Sequence, residues 1–261
     1  MAFAAASHRP IEGAVATVGV SDRVAFLRKT YSHLGVALIA FAAITGGMMR
    51  FAPEVSFKFS RWAITGGGWN WLILLGGFML VGWLAERLAM SETSRGLQYA
   101  GLGIAVVAEA IILQPLLWVL MLRMGGPKVR AEILLSGHPL MTGTVASILI
   151  QAIVITLTIF IGLTLVVFLT KRDFSFLRGI LVVCSFAALG VIIASIAFGF
   201  TLGAFFCGVM ILVMAGYILF QTSIIMKAFP PTAHVAAALM LFSTIATLFW
   251  YVLQLLMSLR D

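Results

Sequence analysis

The residues of this chain that could do chemistry are few, and most are uncharged. Glu109 stands out, because it is the only charged residue between Gly96 and Leu122 in an otherwise apolar run. An ionisable group at the middle of a membrane helix costs about 2.5–3.5 kcal/mol on insertion scales and turns toward the protein interior. Two readings follow. The carboxyl could be a cation ligand or protonation-dependent gate, or a protonated acid that ties its helix to a neighbour by hydrogen bonds. One acid alone is a poor divalent-ion site, so both readings stay open.

Neutral polar residues recur farther along: Gln151, then Gln221, Thr222 and Ser223, then Ser243, Thr244 and Gln254. They could line a wet interior path, although for any one of them an interhelical hydrogen bond, averaging about 0.6 kcal/mol, is the commoner use. Gln114-Pro115 could open a kink, since proline lacks a helix donor. Lys171-Arg172-Asp173-Phe174-Ser175 reads as a tight structural turn. Its basic pair complements a helix carboxyl end, and Asp173 or Ser175 could cap the next helix. Ser195, Gly199 and Gly203 recur every fourth position and suggest close helix packing, although the two glycines could instead supply a hairpin. His33, His138 and His234 lack metal-ligand spacing, and Cys184 and Cys207 lie in apolar runs with no C-x-x-C pair. No Ser-His-Asp, H-E-x-x-H or phosphate-loop pattern emerges, so neither an enzyme, a metal nor a cofactor is expected.

The elements that must position these residues are membrane helices. The 261 residues are 62% hydrophobic and 10% charged, against about 25% charged in soluble domains. Mean hydropathy is +1.13. A helical span of the hydrocarbon layer takes roughly 20 apolar residues. Such segments are predicted at about Tyr31–Met49, Trp69–Leu84, Gly96–Leu122 and Gly143–Thr170. Between Gly179 and Met226 no residue is charged; as one helix this stretch would be roughly 70 Å long, so it must fold back near Gly199–Gly203. That makes helices of Phe176–Phe198 and Leu202–Met226. Pro230-Pro231 then precedes a last helix at about Thr232–Leu256. The expected architecture is all-α, a polytopic seven-helix transmembrane bundle. Residues 1–30 are read as a polar, basic tail and 31–261 as a single domain, with Ala131–Leu135 lying on the membrane surface.

The net charge of +8 would suggest nucleic acid in a soluble protein. Here the basic residues sit in the tail and loops, which points to membrane orientation and anionic lipid, and nucleic acid is not expected as a partner. With the amino terminus inside, inner segments hold ten Lys or Arg against seven outside. The amino terminus is therefore expected to be cytoplasmic, although Arg50, Lys58 and Arg61 argue the other way.

Three stretches carry a family resemblance: Leu27-Arg28-Lys29-Thr30-Tyr31-Ser32-His33-Leu34, Thr170-Lys171-Arg172-Asp173-Phe174-Ser175-Phe176-Leu177, and Gly216-Tyr217-Ile218-Leu219-Phe220-Gln221-Thr222-Ser223 with Val235–Leu256. In these the chain resembles the transmembrane Bax inhibitor motif family, which includes bacterial inner-membrane members. The resemblance implies a Bax-inhibitor-like seven-helix fold with an inward amino terminus, in an inner membrane. It also implies either a proton-sensitive calcium or other cation leak or, as in some bacterial members, a non-conducting role in modulating a membrane AAA protease within a larger membrane complex. Members with a described pH-sensitive pore carry an aspartate in each of the last two helices. Those positions correspond here to Gln221 and Thr244, with Ser243 adjacent. Two close carboxyls titrate as a coupled pair; an amide and a hydroxyl do not titrate, so the gate would be altered.

Overall fold

The computed structural model describes residues 12–91, 94–170 and 172–260. Among these, nine helices follow in order: α1 (Val20–Phe51), α2 (Pro53–Thr65), α3 (Gly67–Ala89), α4 (Arg95–Met124), α5 (Gly126–Ser136), α6 (Gly143–Thr170), α7 (Leu177–Phe198), α8 (Ala204–Ala228) and α9 (His234–Ser258). Seven of them, all but α2 and α5, are long and apolar enough to cross a membrane. The all-α polytopic bundle expected from the sequence is the fold observed. The bounds of α6 and the hairpin between α7 and α8 fall where the apolar runs and Gly199 placed them. Gly199 adopts φ +72° and its N–H bonds the Ser195 carbonyl, which closes α7. Ser195, Gly199 and Gly203 therefore do not form a packing face. The helical repeat that would align them stops at Phe198, and Gly203 precedes the first turn of α8.

Two helices were not anticipated as such. Residues after Arg50 form α2, with Pro53 in its first turn, where the missing N–H costs nothing. The loop containing Ala131–Leu135 is α5, closed by Gly137 at φ +67°. At the amino end α1 starts at Val20, so Arg23, Arg28 and Lys29 lie on the helix rather than in a tail. Its 32 residues span about 48 Å, more than the ~30 Å hydrocarbon layer, and its first turns extend past the bilayer.

Burial divides the helices sharply. α4 and α9 are enclosed over most of their length, whereas few residues of α3 and α7 are fully buried. Exposed side chains such as Val183, Phe186, Phe205 and Leu212 would face water in a soluble protein. In a bilayer they face acyl chains, so they carry no cost. Helix α9 packs against α1, α3, α4, α6 and α8. Its residues Val235 to Leu239 are all buried, the three alanines among them letting neighbours approach on every side. The close small-residue contact lies between α3 and α4. A Cβ on Gly101 would sit 2.5 Å from the Ala85 carbonyl oxygen and 2.7 Å from the Ala89 nitrogen.

One polar knot joins α1, α2 and α4. The Trp118 indole N–H donates to Ser56 Oγ (2.8 Å), and Ser56 donates to Gln114 Oε1 (2.7 Å). The Gln114 amide in turn donates to the carbonyls of Thr45 (3.3 Å) and Ala110 (3.1 Å). All three side chains are essentially buried. Helix α4 runs on through Pro115, with the Gln114 amide serving the backbone one turn back. We expect Ser56→Ala to destabilise the fold by about 1–3 kcal/mol, because it strands the indole N–H and the amide oxygen. Ser60→Ala, whose buried hydroxyl makes no hydrogen bond, should be near neutral. Denaturant-dependent labelling of the free thiols Cys184 and Cys207 reads both.

Candidate functional site at the end of α8

The candidate residues gather where α8 ends, against α9 and the turn from α6 to α7. Thr244 on α9 donates through Oγ1 to Gln221 Oε1 on α8 at 2.8 Å, and lies 3.2 Å from the Met240 carbonyl. Thr244 is buried and Gln221 half-buried. Both groups are neutral, so the contact can neither gain nor lose charge. Ser243 takes part differently, since its backbone carbonyl accepts from the Thr247 hydroxyl at 2.8 Å.

Toward the carboxyl end of α8 a charged fastening replaces the neutral one. Lys227 Nζ lies 2.7 Å from Asp173 Oδ2. The other carboxylate oxygen accepts from the Ser175 N–H (2.9 Å), the Ser175 hydroxyl, and more distantly Ser223 Oγ (3.4 Å). The Phe174 N–H donates to Ser223 Oγ at 3.3 Å. Asp173 thus organises the turn and ties it to α8. It does not cap α7, which begins without a side-chain cap hydrogen bond. Ser175 likewise serves the turn, and its carbonyl accepts the Arg178 N–H. Arg172 lies in the same turn, while Lys171 is outside the described residues. Partial burial acts to raise the Asp173 pKa, but hydrogen bonds from Lys227 and Ser175 and the nearby ammonium charge outweigh it and hold the carboxyl at about 2.

A third fastening comes from the segment before α1. The N–H of Val15 bonds the Phe229 carbonyl (3.1 Å) and that of Ala16 the Met226 carbonyl (2.9 Å). Arg23 reaches back from α1 to hold the same segment, through Val15 O (3.3 Å) and Ala16 O (2.8 Å). These bonds occupy carbonyls that a helix end leaves without partners. Val15 is fully buried. Neither Lys227 nor this segment was singled out in the sequence; a lone lysine before Phe229-Pro230 was the available signal.

Glu109 is not part of this cluster. It is buried on α4 and makes no hydrogen bond or ion pair with another described residue. Helices α4 and α8 both pack on α9 and not on each other. Gln151 and Gln254 sit at the opposite end of the bundle, accepting from Arg260 (2.8 Å) and Cys207 (3.7 Å) respectively. The structure does bring His33 and His234 together, with ring centroids 5.1 Å apart, and Tyr99 Oη lies 3.1 Å from His33 Nε2. Because His33 Nδ1 faces the Lys29 carbonyl at 2.7 Å, neutral His33 carries its proton on Nδ1 and accepts from Tyr99 through Nε2. Among the described residues no three His, Cys, Asp or Glu side chains converge as a metal site.

Fold and site together define a polytopic helical membrane protein whose polar fastenings concentrate at the end of α8. The family described as "Inhibitor of apoptosis-promoting Bax1" matches residues 133–261, from α5 to the end of the chain. The chain is also similar to Bax inhibitor 1 of Schizosaccharomyces pombe, 29% identical over 252 residues that cover 95% of this chain and 81% of that protein. No solved structure matches significantly. The chain is thereby similar to the Bax inhibitor-1 family, most clearly over its carboxyl-terminal half, and is an integral membrane protein in contact with the lipid bilayer. The matched stretch contains Asp173, Gln221, Lys227 and Thr244, and leaves Glu109 outside.

The Asp173 fastening has a definite pH signature. Its folded pKa lies below the ordinary value of 3.8, so its stabilisation is complete above about pH 4 and is lost as pH falls through about 2. The melting temperature of the wild type relative to Asp173→Asn, followed by circular dichroism in detergent, should be raised and level at neutral pH. That difference should vanish toward pH 2. In a Lys227→Met background the loss should begin at higher pH.

Proposed function

We propose that this Bax-inhibitor-like protein is a cation leak pathway, with calcium as the first candidate ion, in which the family's pH gate is replaced by a neutral latch. The Thr244–Gln221 hydrogen bond of 2.8 Å carries this reading. It joins the two helices at the positions that correspond to the family's aspartates. Two carboxyls there would share a proton and separate when both ionise. An amide and a hydroxyl hold the same contact at every accessible pH. Glu109, buried and without a hydrogen-bond partner among the described residues, is a carboxyl available to a passing cation midway along its helix. The amino terminus is proposed to face the cytoplasm, which puts the fastenings of α8 on that side.

Calcium flux into liposomes holding the purified protein and an internal dye tests this. Wild-type flux should exceed that of empty vesicles and vary little with pH, and Glu109→Gln should lower it several-fold. The double variant Gln221→Asp with Thr244→Asp should make flux pH-dependent. Flux equal to empty vesicles in every case would leave the second reading.

That second reading is a non-conducting subunit or regulator of a larger membrane complex, such as a membrane protease assembly. One observation favours it. The two large cavities open sideways between helices, and Leu241, Phe242, Ile245 and Leu248 fill α9 on either side of Thr244. Crosslinking in native membranes before mild-detergent purification should then recover a defined partner.

A further inference from the structure

Of the two large cavities, one is wholly apolar and lies among α2, α3 and α4. The other has a polar rim. It has a volume of about 690 Å³, within the ~300–1,000 Å³ of sites that enclose a small ligand. Helices α1 and α6 form its walls and meet beyond it, where the Tyr31 ring packs against Phe160 and Phe168; along the cavity itself they stand apart, so it opens laterally into the bilayer. Its floor is Leu113 and Leu117 of α4 with Ile245 and Phe249 of α9.

Arg50 and Thr45 mark one end of this trough, and Thr156, whose buried hydroxyl is likewise unpartnered, lies on its α6 wall. Arg50, in the last turn of α1, is exposed at the rim and pairs with no described acid. Thr45 also lines the cavity. It is only 7% exposed, and its hydroxyl makes no hydrogen bond. About 7.5 Å of helix separates the two, at 1.5 Å per residue. An orphaned hydroxyl in an apolar wall is costly unless something brings it an acceptor.

We propose that this groove binds one anionic phospholipid from the surrounding leaflet, with its phosphate on Arg50 and one acyl chain along the α4–α9 floor. The ester carbonyls of a glycerophospholipid lie a few ångströms below the phosphate, on the side of the tails. In that position an ester oxygen accepts the Thr45 hydroxyl. A guanidinium at a membrane interface suits a phosphate, which it grips through two parallel N–H donors. A zwitterionic lipid offers the same phosphate, but its ammonium offsets part of the attraction to the guanidinium, so the site favours a lipid of net negative charge. The site is independent of whether the protein conducts, since it lies on the flank of the bundle, away from the fastenings of α8.

The test uses the full chain in nanodiscs of equal phosphatidylglycerol and phosphatidylcholine with identical tails, transferred to detergent for native mass spectrometry. The wild type should retain one phosphatidylglycerol in preference to phosphatidylcholine. Gly46→Phe fills the groove, and a Cβ at Gly46 meets nothing within 4 Å, so the helix accepts the change. It should abolish retention of that lipid. Gly103→Phe is the matched control in the other cavity, where a Cβ is equally unobstructed. It should retain the lipid as the wild type does. Arg50→Gln should lower the preference for phosphatidylglycerol about tenfold, as expected for loss of a charge-assisted hydrogen bond. Wild-type retention in Gly46→Phe, equal loss in Gly103→Phe, or a preference unmoved by Arg50→Gln would each overturn the assignment.

Discussion

The bundle depends on the enclosure of α9. Lipid tails are as apolar as leucine, so burying leucine between helices gains little in a membrane, and close packing must hold the helices instead. Helix α9 meets that constraint by presenting small residues where neighbours converge and large ones where they diverge. Ala236, Ala237 and Ala238 form a narrow collar at its start, and Phe242, Leu248 and Leu253 fill the wider spaces beyond. Five helices pack on it, and α4 is enclosed to a similar degree because it shares that seam while also carrying α2 and α3.

The spans were legible in the sequence because membrane insertion imposes a length and a composition that soluble packing does not. Six apolar runs between charges, one of them long enough to fold back once, became seven long helices, and one helix ended on both sides where the sequence placed it. The short helices were not legible. Helix α2 reads as a charged loop, since Glu54, Lys58 and Arg61 interrupt the apolar pattern. Its helical character depends on Ser56 reaching Gln114 and Trp118, far along the chain. The start of α1 was hidden for a related reason: its basic residues lie beyond the hydrocarbon, where polarity no longer argues against a helix.

Small-residue spacing was a signal read in the wrong place. Ser195, Gly199 and Gly203 had the spacing but straddle a chain reversal. Gly101 and Ala105 on α4, and Ala85 and Ala89 on α3, have the same four-residue interval inside continuous helices. Spacing identifies a face only if the helix persists, and that is a question of chain length against bilayer thickness. Among the polar residues, the pairing of Gln221 with Thr244 could be anticipated only through family correspondence. The pairing of Asp173 with Lys227 could not be read from local pattern, because the partners meet through a chain reversal.

The three fastenings on α8 bear on what could move. Drawing the end of α8 away from α9 and the α6–α7 turn breaks the Thr244–Gln221 bond, the Asp173–Lys227 pair and the backbone bonds to Val15 and Ala16. The first does not titrate. The second keeps its charges down to about pH 2, because the ammonium and the Ser175 donors stabilise the carboxylate. The third is backbone and carries no charge. Protons near neutral pH therefore have no purchase on any of the three. A coupled carboxyl pair at the same two positions would place a titrating group on the seam itself. Replacing it with an amide and a hydroxyl keeps the contact and removes the sensitivity, so any displacement of α8 has to be driven from elsewhere. The segment before α1 is tied to that same end by two backbone bonds, the reach of Arg23 and the burial of Val15, so a displacement of α8 has to carry it along or break it free.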